Sequence, residues 1–388
     1  MRVMYLAPRY HTNQSAIMKG WQEHGDEICF LSHYSGKSED YSRVTPEIIG
    51  YSKLFRALDY IYVHILRRND PYGINWKLKC GFPPAGKLSF WIKKFNPDLV
   101  IVRERSVYSI CMNLLCKRYH IPVILYNQSP LWDVPQSMDW KHKIVWKLVP
   151  QYRITPVLRL NMTDTNLVKD NNTWFLPFVM EPQLAPDQKE YFRDGKINIL
   201  SIGKYEERKN HLMLISLTEQ LADSYPVHLT IAGECSNRFH ERNLEKARAY
   251  IAQHRLENLV TLHVNLKRES VFDLYRTSDV FVLPSTDEPA AVSHLEAMAF
   301  SVPAVCGTGN GTASYIVDGE TGYVFKDNDM DDLNDKLEKI ICSRDNIVKM
   351  GAAGYRHVKD HFRFENYYGQ IRQILEIMHK GNYESARG

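Results

Sequence analysis

Short apolar runs recur along the chain, and the stretches between them place apolar residues at helical spacing. MRVMYLAP reads as a first strand, Asn13 to His24 as a helix that starts near a Thr/Asn cap and ends at Gly25, and DEICFLS as a second strand. NPDLVIV and IPVILYN are further strands, with a helix over Ser109 to Arg118 between them. After TWFLPFVMEP, which reads as the passage into a second domain, the alternation restarts. INILSIG, VHLTIAG, VTLHVNL and VFVLPS read as strands, separated by helices at Asn210 to Asp223, Asn243 to His254 and Ser270 to Thr277. Helices at Met330 to Cys342, Asp345 to Lys359 and Glu365 to Lys380 close the chain. Alternation of this kind predicts an α/β protein of two Rossmann-like, doubly wound domains.

Two amphipathic stretches stand apart from this pattern. In Lys53 to Arg68 the residues Leu54, Leu58, Ile61 and Ile65 form one stripe, opposite Lys53, Arg56, His64 and Arg67. Such a stripe packs more often on a protein's own core than on a membrane. WKHKIVWKLV, Trp140 to Val149, mixes tryptophan and lysine as interfacial segments do, although Lys141 falls among the apolar positions.

With 388 residues the chain exceeds one ordinary core, and 44% hydrophobic with 24% charged residues is a globular composition. It has no apolar run long enough to span a bilayer, and the apolar start is too short for a signal peptide. The expected location is therefore cytoplasmic, with peripheral contact at the inner face of a membrane. The seven cysteines are scattered singly, without CxxC pairs, and read as buried free thiols in a reducing compartment. Charge is uneven: Met1 to Met180 holds 24 Lys and Arg against 14 Asp and Glu, whereas Glu181 to Gly388 holds 25 against 31. The basic half suits an anionic membrane surface or a lipid diphosphate rather than nucleic acid.

Candidate chemistry collects where strands end. In the loop PRYHTN, Arg9 and His11 are candidates, but the loop has no glycine to cradle a phosphate; Asn127 and Gln128 end IPVILYN. In SIGKYEERKN, Gly203 gives room for a turn, and Lys204 and Lys209 offer point charges for phosphate oxygens. Gly233 ends IAGE, and Asn265 and Leu266 make a short turn that could lay a nucleobase against backbone. DEPAAVSHLEAMAFSVP places Glu288 before Pro289 and Glu296 in the helix that follows. Proline is favoured at the first helical position, so the amides of Ala290, Ala291 and Val292 should point out of the helix end as an anion site. Either acid alone could equally be a helix-end or surface residue. Asp329, Met330 and Asp331 spell D-x-D but begin an apolar-striped helix, so capping explains them better than a metal.

In this order, G-K-x4-K, IAGE, LYRTSDVFVLPSTDEP, E-x7-E with EAMAFSVPAV, and VDGETGYVF resemble the nucleotide-sugar half of retaining glycosyltransferases of family 4, which have the GT-B fold. The resemblance is strong over about Ile197 to Lys326 and generic over the first half. It implies two Rossmann-like domains facing across a cleft: residues 1–183 with 363–388 for the acceptor, and residues 184–362 for the nucleotide sugar. The last helix, Phe364 to Met378, would return to the first domain. Glu288 would hold donor-sugar hydroxyls and position the transition state, Glu296 would bind the ribose, and Lys204 and Lys209 the diphosphate. Glu288 and Lys209 are then the expected catalytic residues. Gly203, Lys204, Leu266, Ala290, Ala291, Val292, Glu296, His11 and Asn127 would bind substrate.

The expected activity is metal-independent, retaining transfer of a hexosyl unit from a UDP- or GDP-sugar, with the nucleotide sugar a co-substrate and no other cofactor. The acceptor is expected to be a saccharide, lipid-linked as in bacterial-type surface polysaccharide assembly. A soluble acceptor, a non-catalytic nucleotide-sugar binder and a phosphorylase are the alternatives; no lysine signature for pyridoxal phosphate is visible. The family usually has arginine where Lys204 stands, often glycine where Ala291 stands, and often glutamate where Ser314 stands. Asn127 or Gln128 occupies a loop where histidine is frequent, and the first domain's double glycine is absent.

Overall fold

The structure, a computed structural model, describes residues 1–11, 14–36, 41–64, 74–103, 106–128, 140–158 and 172–385. The chain divides into two compact units: Met1–Pro156, Leu167–Val179 and Phe364–Gly388 make the first, Val157–Asn166 and Met180–Arg363 the second.

In the first unit, seven parallel strands run in the order β3-β2-β1-β4-β5-β6-β7. They are β1 (Arg2–Ala7), β2 (Glu27–Ser32), β3 (Glu47–Ile48), β4 (Leu99–Arg103), β5 (Val123–Tyr126), β6 (Tyr152–Thr155) and β7 (Thr173–Phe175). Val3 pairs with Ile28 on one side and Leu99 on the other, so strand order reverses at β1. Both faces of such a sheet are covered, which is why β1 and β4 are nearly continuous apolar runs. The helix Phe364–Ser385 closes one face, burying Phe364, Tyr367, Ile371 and Ile374 against Tyr5, Trp21 and Phe30.

The second unit repeats the plan with six parallel strands in the order β10-β9-β8-β11-β12-β13. These are β8 (Ile197–Ile202), β9 (Val227–Gly233), β10 (Val260–Val264), β11 (Val280–Leu283), β12 (Ala304–Gly307) and β13 (Gly322–Phe325). Order reverses between β8 and β11, paired at Val280 and Ile199, and loops at the carboxyl ends there frame the usual ligand crevice of such sheets.

Three expectations need correction. TWFLPFVMEP is not only a passage between domains, because Thr173–Phe175 adds the edge strand β7 through Arg153, Ile154 and Thr155. The helix Lys53–His64 does not bury the stripe read from its periodicity: Leu54, Leu58 and Ile61 are exposed at 69, 44 and 43%, while Phe55 is buried. Phe55 stacks near Trp76 of the helix Ile74–Cys80, and Lys77 pairs with Asp59 at 2.9 Å. Ile65 and Arg67, with Asn13 of the first helix, lie outside the described residues. Last, the helix after Glu288 runs Ser293–Ala299, so Pro289 lies ahead of it. Ala290, Ala291 and Val292 are the approach to that helix, not its free end.

Candidate active site

The loop after β8 carries Gly203, Lys204 and a short turn at Glu207–Lys209. Asn210, in a left-handed conformation with φ 49°, reverses the chain there and donates from Nδ2 to the Pro284 carbonyl at 3.0 Å. The Thr286 amide donates to the Arg208 carbonyl at 2.8 Å. These two bonds lash the β8 loop to the β11 loop, and they bring Arg208 and Lys209 to Glu288.

Glu288 is 8% and Lys209 7% exposed, so this is a charge cluster largely removed from water. The Glu288 Oε2 accepts from Arg208 Nη1 at 2.6 Å and, more closely, from the Lys209 ammonium. Burial by itself would raise the Glu288 carboxyl, but the Lys209 and Arg208 cations outweigh it and hold the acid below the ordinary carboxylate range. Burial pulls the Lys209 ammonium down, with Glu288 opposing that shift. Arg208 also pairs with Glu206 through Nε at 2.8 Å. Both cations meet Oε2, which leaves Oε1 for a ligand. A Cβ at Gly203 would come within 3.1 Å of the Lys209 stem, so glycine there makes room for the lysine rather than for the turn alone.

The backbone of Glu288 is held by the loop after β12. Its amide donates to the Gly309 carbonyl at 3.1 Å, and the Gly311 amide donates to its carbonyl at 2.9 Å. Asn310, fully buried, accepts through Oδ1 from the Ala291 amide at 3.4 Å, the Thr312 amide at 3.2 Å and the Thr312 hydroxyl at 2.9 Å. That occupies the Ala291 amide, which the sequence reading left open for an anion. His294 Nε2 donates to the Thr312 carbonyl at 3.0 Å, tying the helix Ser293–Ala299 to the same loop. Burial pushes the His294 imidazole down to about 4, so it is neutral at pH 7.

Glu296 forms a separate cluster, bound to Arg268 Nη2 at 3.2 Å and to the Tyr275 hydroxyl at 3.0 Å. Lys204 is exposed and pairs with Glu234 at 3.6 Å. Leu266 is half-buried beside Asn265, whose side chain accepts from the Cys235 amide at 2.8 Å and donates to the Cys235 carbonyl at 3.0 Å. His11 and Asn127 belong to the first unit, after β1 and β5. Asn127 is buried, its amide donating to the Ile154 carbonyl at 3.1 Å. The His11 amide donates to Gln14 Oε1 at 3.2 Å. Asp329 caps its helix by accepting from the Asp332 amide at 3.1 Å.

Sequence reading missed Arg208 and Asn310. Arg208 could have been found as the third cation within six residues of SIGKYEERKN; Asn310 carried no local signal, since its role depends on a loop from another strand.

Two Rossmann-like sheets in succession define the class: the chain has the GT-B fold. Solved structures with that likeness include Anabaena Alr3699/HepE in complex with UDP, at TM-score 0.69 and 12% identity over 97% of this chain and all of that one. A glycosyltransferase from Rickettsia africae follows at TM-score 0.67 and 15% identity, over 97% and 98%. Within the class, residues 185–357 match the model of the family described as glycosyl transferases group 1. The alpha-1,3/1,6-mannosyltransferase alg-2 of Neurospora crassa is 26% identical over 210 residues, 47% of this chain and 44% of that protein. The sulfoquinovosyl transferase SQD2 of Arabidopsis thaliana is 21% identical over 86% of this chain and 63% of its own length. With a GDP-mannose-dependent mannosyltransferase of Corynebacterium glutamicum matched over 53% of its length, the chain spans roughly half of these curated relatives.

Proposed function

We propose that this protein transfers a sugar from a nucleoside diphosphate donor to a saccharide acceptor, with retention at the anomeric carbon and without a metal. The observation that carries the proposal is the Arg208–Lys209–Glu288 cluster at the switch point of the second sheet, in which Lys209 and Glu288 are buried and Arg208 is half-buried. In it two cations and one ionised acid share a single carboxylate oxygen. A diphosphate arriving there draws the cations toward its own oxygens and leaves Glu288 to accept from hydroxyls of the donor sugar. As the C1–O bond to the diphosphate breaks, its electron pair passes to the phosphate oxygen, where fixed cations stabilise the growing charge. The acceptor hydroxyl bonds to C1 from the same face, and its proton passes to the departing phosphate oxygen. No protein base is then required. Glu296 takes the ribose hydroxyls, exchanging its exposed Arg268 partner, and Lys204 supplies an outer charge to the diphosphate.

The acceptor belongs to the first unit and is lipid-linked, as surface polysaccharide assembly on the cytoplasmic face of a bacterial-type membrane would supply it. Two observations support the lipid reading: the excess of Lys and Arg in Met1 to Met180, and the exposed Leu54, Leu58 and Ile61. Trp140, Ile144 and Val145 of the helix Trp140–Leu148 are exposed as well. Among the described residues no helix is long and apolar enough to cross a membrane, so contact would be along a surface. The relatives' names favour UDP- or GDP-linked donors, Alr3699/HepE having been solved with UDP-glucose.

A thermal-shift series with UDP-, GDP- and ADP-sugars in the presence of a chelator tests the donor and the metal independence together. One nucleotide sugar at 100 times its dissociation constant is expected to stabilise by about 2.7 kcal/mol. No shift with any of them, chelator or not, contradicts the proposal.

A further inference from the structure

The helix Arg268–Thr277 meets the helix that carries Glu296 through one row of side chains. Arg268, Phe272 and Tyr275, at spacings of four and three, share a face of it. Tyr275 stacks on Phe300 with ring centroids 5.5 Å apart, Phe272 meets the same ring at 5.4 Å, and the Arg268 guanidinium lies over Phe272 at 4.7 Å. The row offers two donors to one carboxylate: the Tyr275 hydroxyl to Glu296 Oε2 at 3.0 Å, and Arg268 Nη2 to Oε1 at 3.2 Å. The two donors are held very differently. Tyr275 is fully buried, and the buried Lys189 ammonium donates to its carbonyl at 2.8 Å and to the Arg276 carbonyl at 3.0 Å, fixing the last turn of the helix. The Tyr275 hydroxyl also reaches the Ser293 carbonyl at 3.0 Å. Burial, with the Glu296 charge added, pushes this phenol well above its ordinary range, so it remains a donor at any working pH. Arg268, by contrast, has 45% of its side chain exposed, and a surface ion pair of that kind is worth about fivefold at most in an equilibrium. A ligand reaches Glu296 from the solvent side, where Arg268 stands, while Tyr275 holds the acid from behind.

We infer that these two residues set nucleotide affinity in opposite directions: Tyr275 is a positioning residue that holds the Glu296 carboxylate toward a ribose diol, and Arg268 is an internal stand-in for that diol, which a nucleotide must displace. The inference rests on the glycosyl-transfer reading and on ribose as the partner of Glu296. It goes beyond them by giving work to Tyr275, to Lys189 behind it and to Arg268, none of which the sequence analysis singled out. An acid held by Tyr275 keeps one orientation and turns its outer edge to solvent; Arg268 occupies that edge. Arg268 therefore filters ligands, because two adjacent hydroxyls offset the loss of the ion pair and a sugar without them does not.

The test is calorimetric titration of the full chain with UDP, GDP and ADP, the tightest of them then being compared with its 2′,3′-dideoxy counterpart. The wild type is expected to prefer the ribose form by about tenfold or more. Tyr275→Phe keeps the ring stack and removes only the hydroxyl, so that preference should fall about fivefold, while the dideoxy form binds within about threefold of wild type. Arg268→Gln should raise the preference about two- to fivefold. The ratio between the two ligands cancels any general damage to the fold or to phosphate binding, which a merely structural role would impose on both alike. A preference that Tyr275→Phe leaves unchanged, or that fails to rise in Arg268→Gln, overturns the inference, as does a wild type that binds both forms equally. Arg268→Gln lies at the surface and decides the matter even if Tyr275→Phe fails to fold. Failure of the wild type to bind any of the three diphosphates would instead overturn the glycosyl-transfer reading.

Discussion

His294 shows how a single side chain can carry structural information that looks catalytic. It sits two residues after Val292, is fully buried, and holds the Thr312 carbonyl of the loop that clamps Glu288. Because its folded pKa is lowered from 6.5 to about 4, the unfolded chain binds a proton that the folded chain refuses between those values. Stability is therefore full above pH 6.5 and is lost as pH falls toward 4. Each pKa unit is about 1.4 kcal/mol, so this histidine accounts for roughly 3–3.5 kcal/mol of acid sensitivity once pH falls below 4. His294→Gln keeps a donor and cannot titrate. Urea unfolding at pH 7.5 and pH 4.5 should show the wild type losing about 2 kcal/mol more than the variant; parallel losses would contradict the assignment. His211 and His33, both driven to about 3 by burial, act in the same direction and cancel in that comparison. Glu288 and Lys209 were legible in the sequence because motif order singled them out. Arg208 was not, since a cation inside a run of charges reads as solvated, and only the fold brings it, still half-exposed, to Glu288. Ala291 was misread for a related reason: Pro289 signals a helix start, but the loop after β12 occupies the Ala291 amide first.

At the scale of elements, the parallel strands were the most legible features, because burial on both faces writes them as plain apolar runs. The short strands β3, β6 and β7, two, four and three residues long, carry no such run and were missed. The helix Lys53–His64 is the instructive case. Its period was read correctly and its orientation was not, because one aromatic residue, Phe55, packing on Trp76 and Phe82 outweighs three aliphatic ones for which the fold supplies no cover. An exposed stripe of Leu54, Leu58 and Ile61 next to Lys53 and Arg56 fits anionic lipid. Sedimentation with phosphatidylglycerol vesicles at low salt should retain the wild type, and Leu54→Asp with Leu58→Asp should reduce the bound fraction several-fold. Binding that ignores both the substitutions and added salt would remove this helix from the membrane account.

For the whole molecule, the account assigns different tasks to different parts of one constellation: cations to the diphosphate, an acid to the transferred sugar, and a separate unit to the acceptor. Glu288 is the point at which those assignments can be separated. It pairs with both Arg208 and Lys209, so its removal releases the hold of one acid on two cations while deleting the group assigned to the sugar. The most direct measurement is therefore the turnover of the preferred nucleotide sugar by Glu288→Gln, alongside the affinity of the corresponding nucleoside diphosphate. The account predicts a fall in kcat of about 10²-fold or more, with diphosphate affinity equal to or tighter than wild type. Turnover within about threefold of wild type, or a loss of diphosphate affinity matching the loss of turnover, would contradict it.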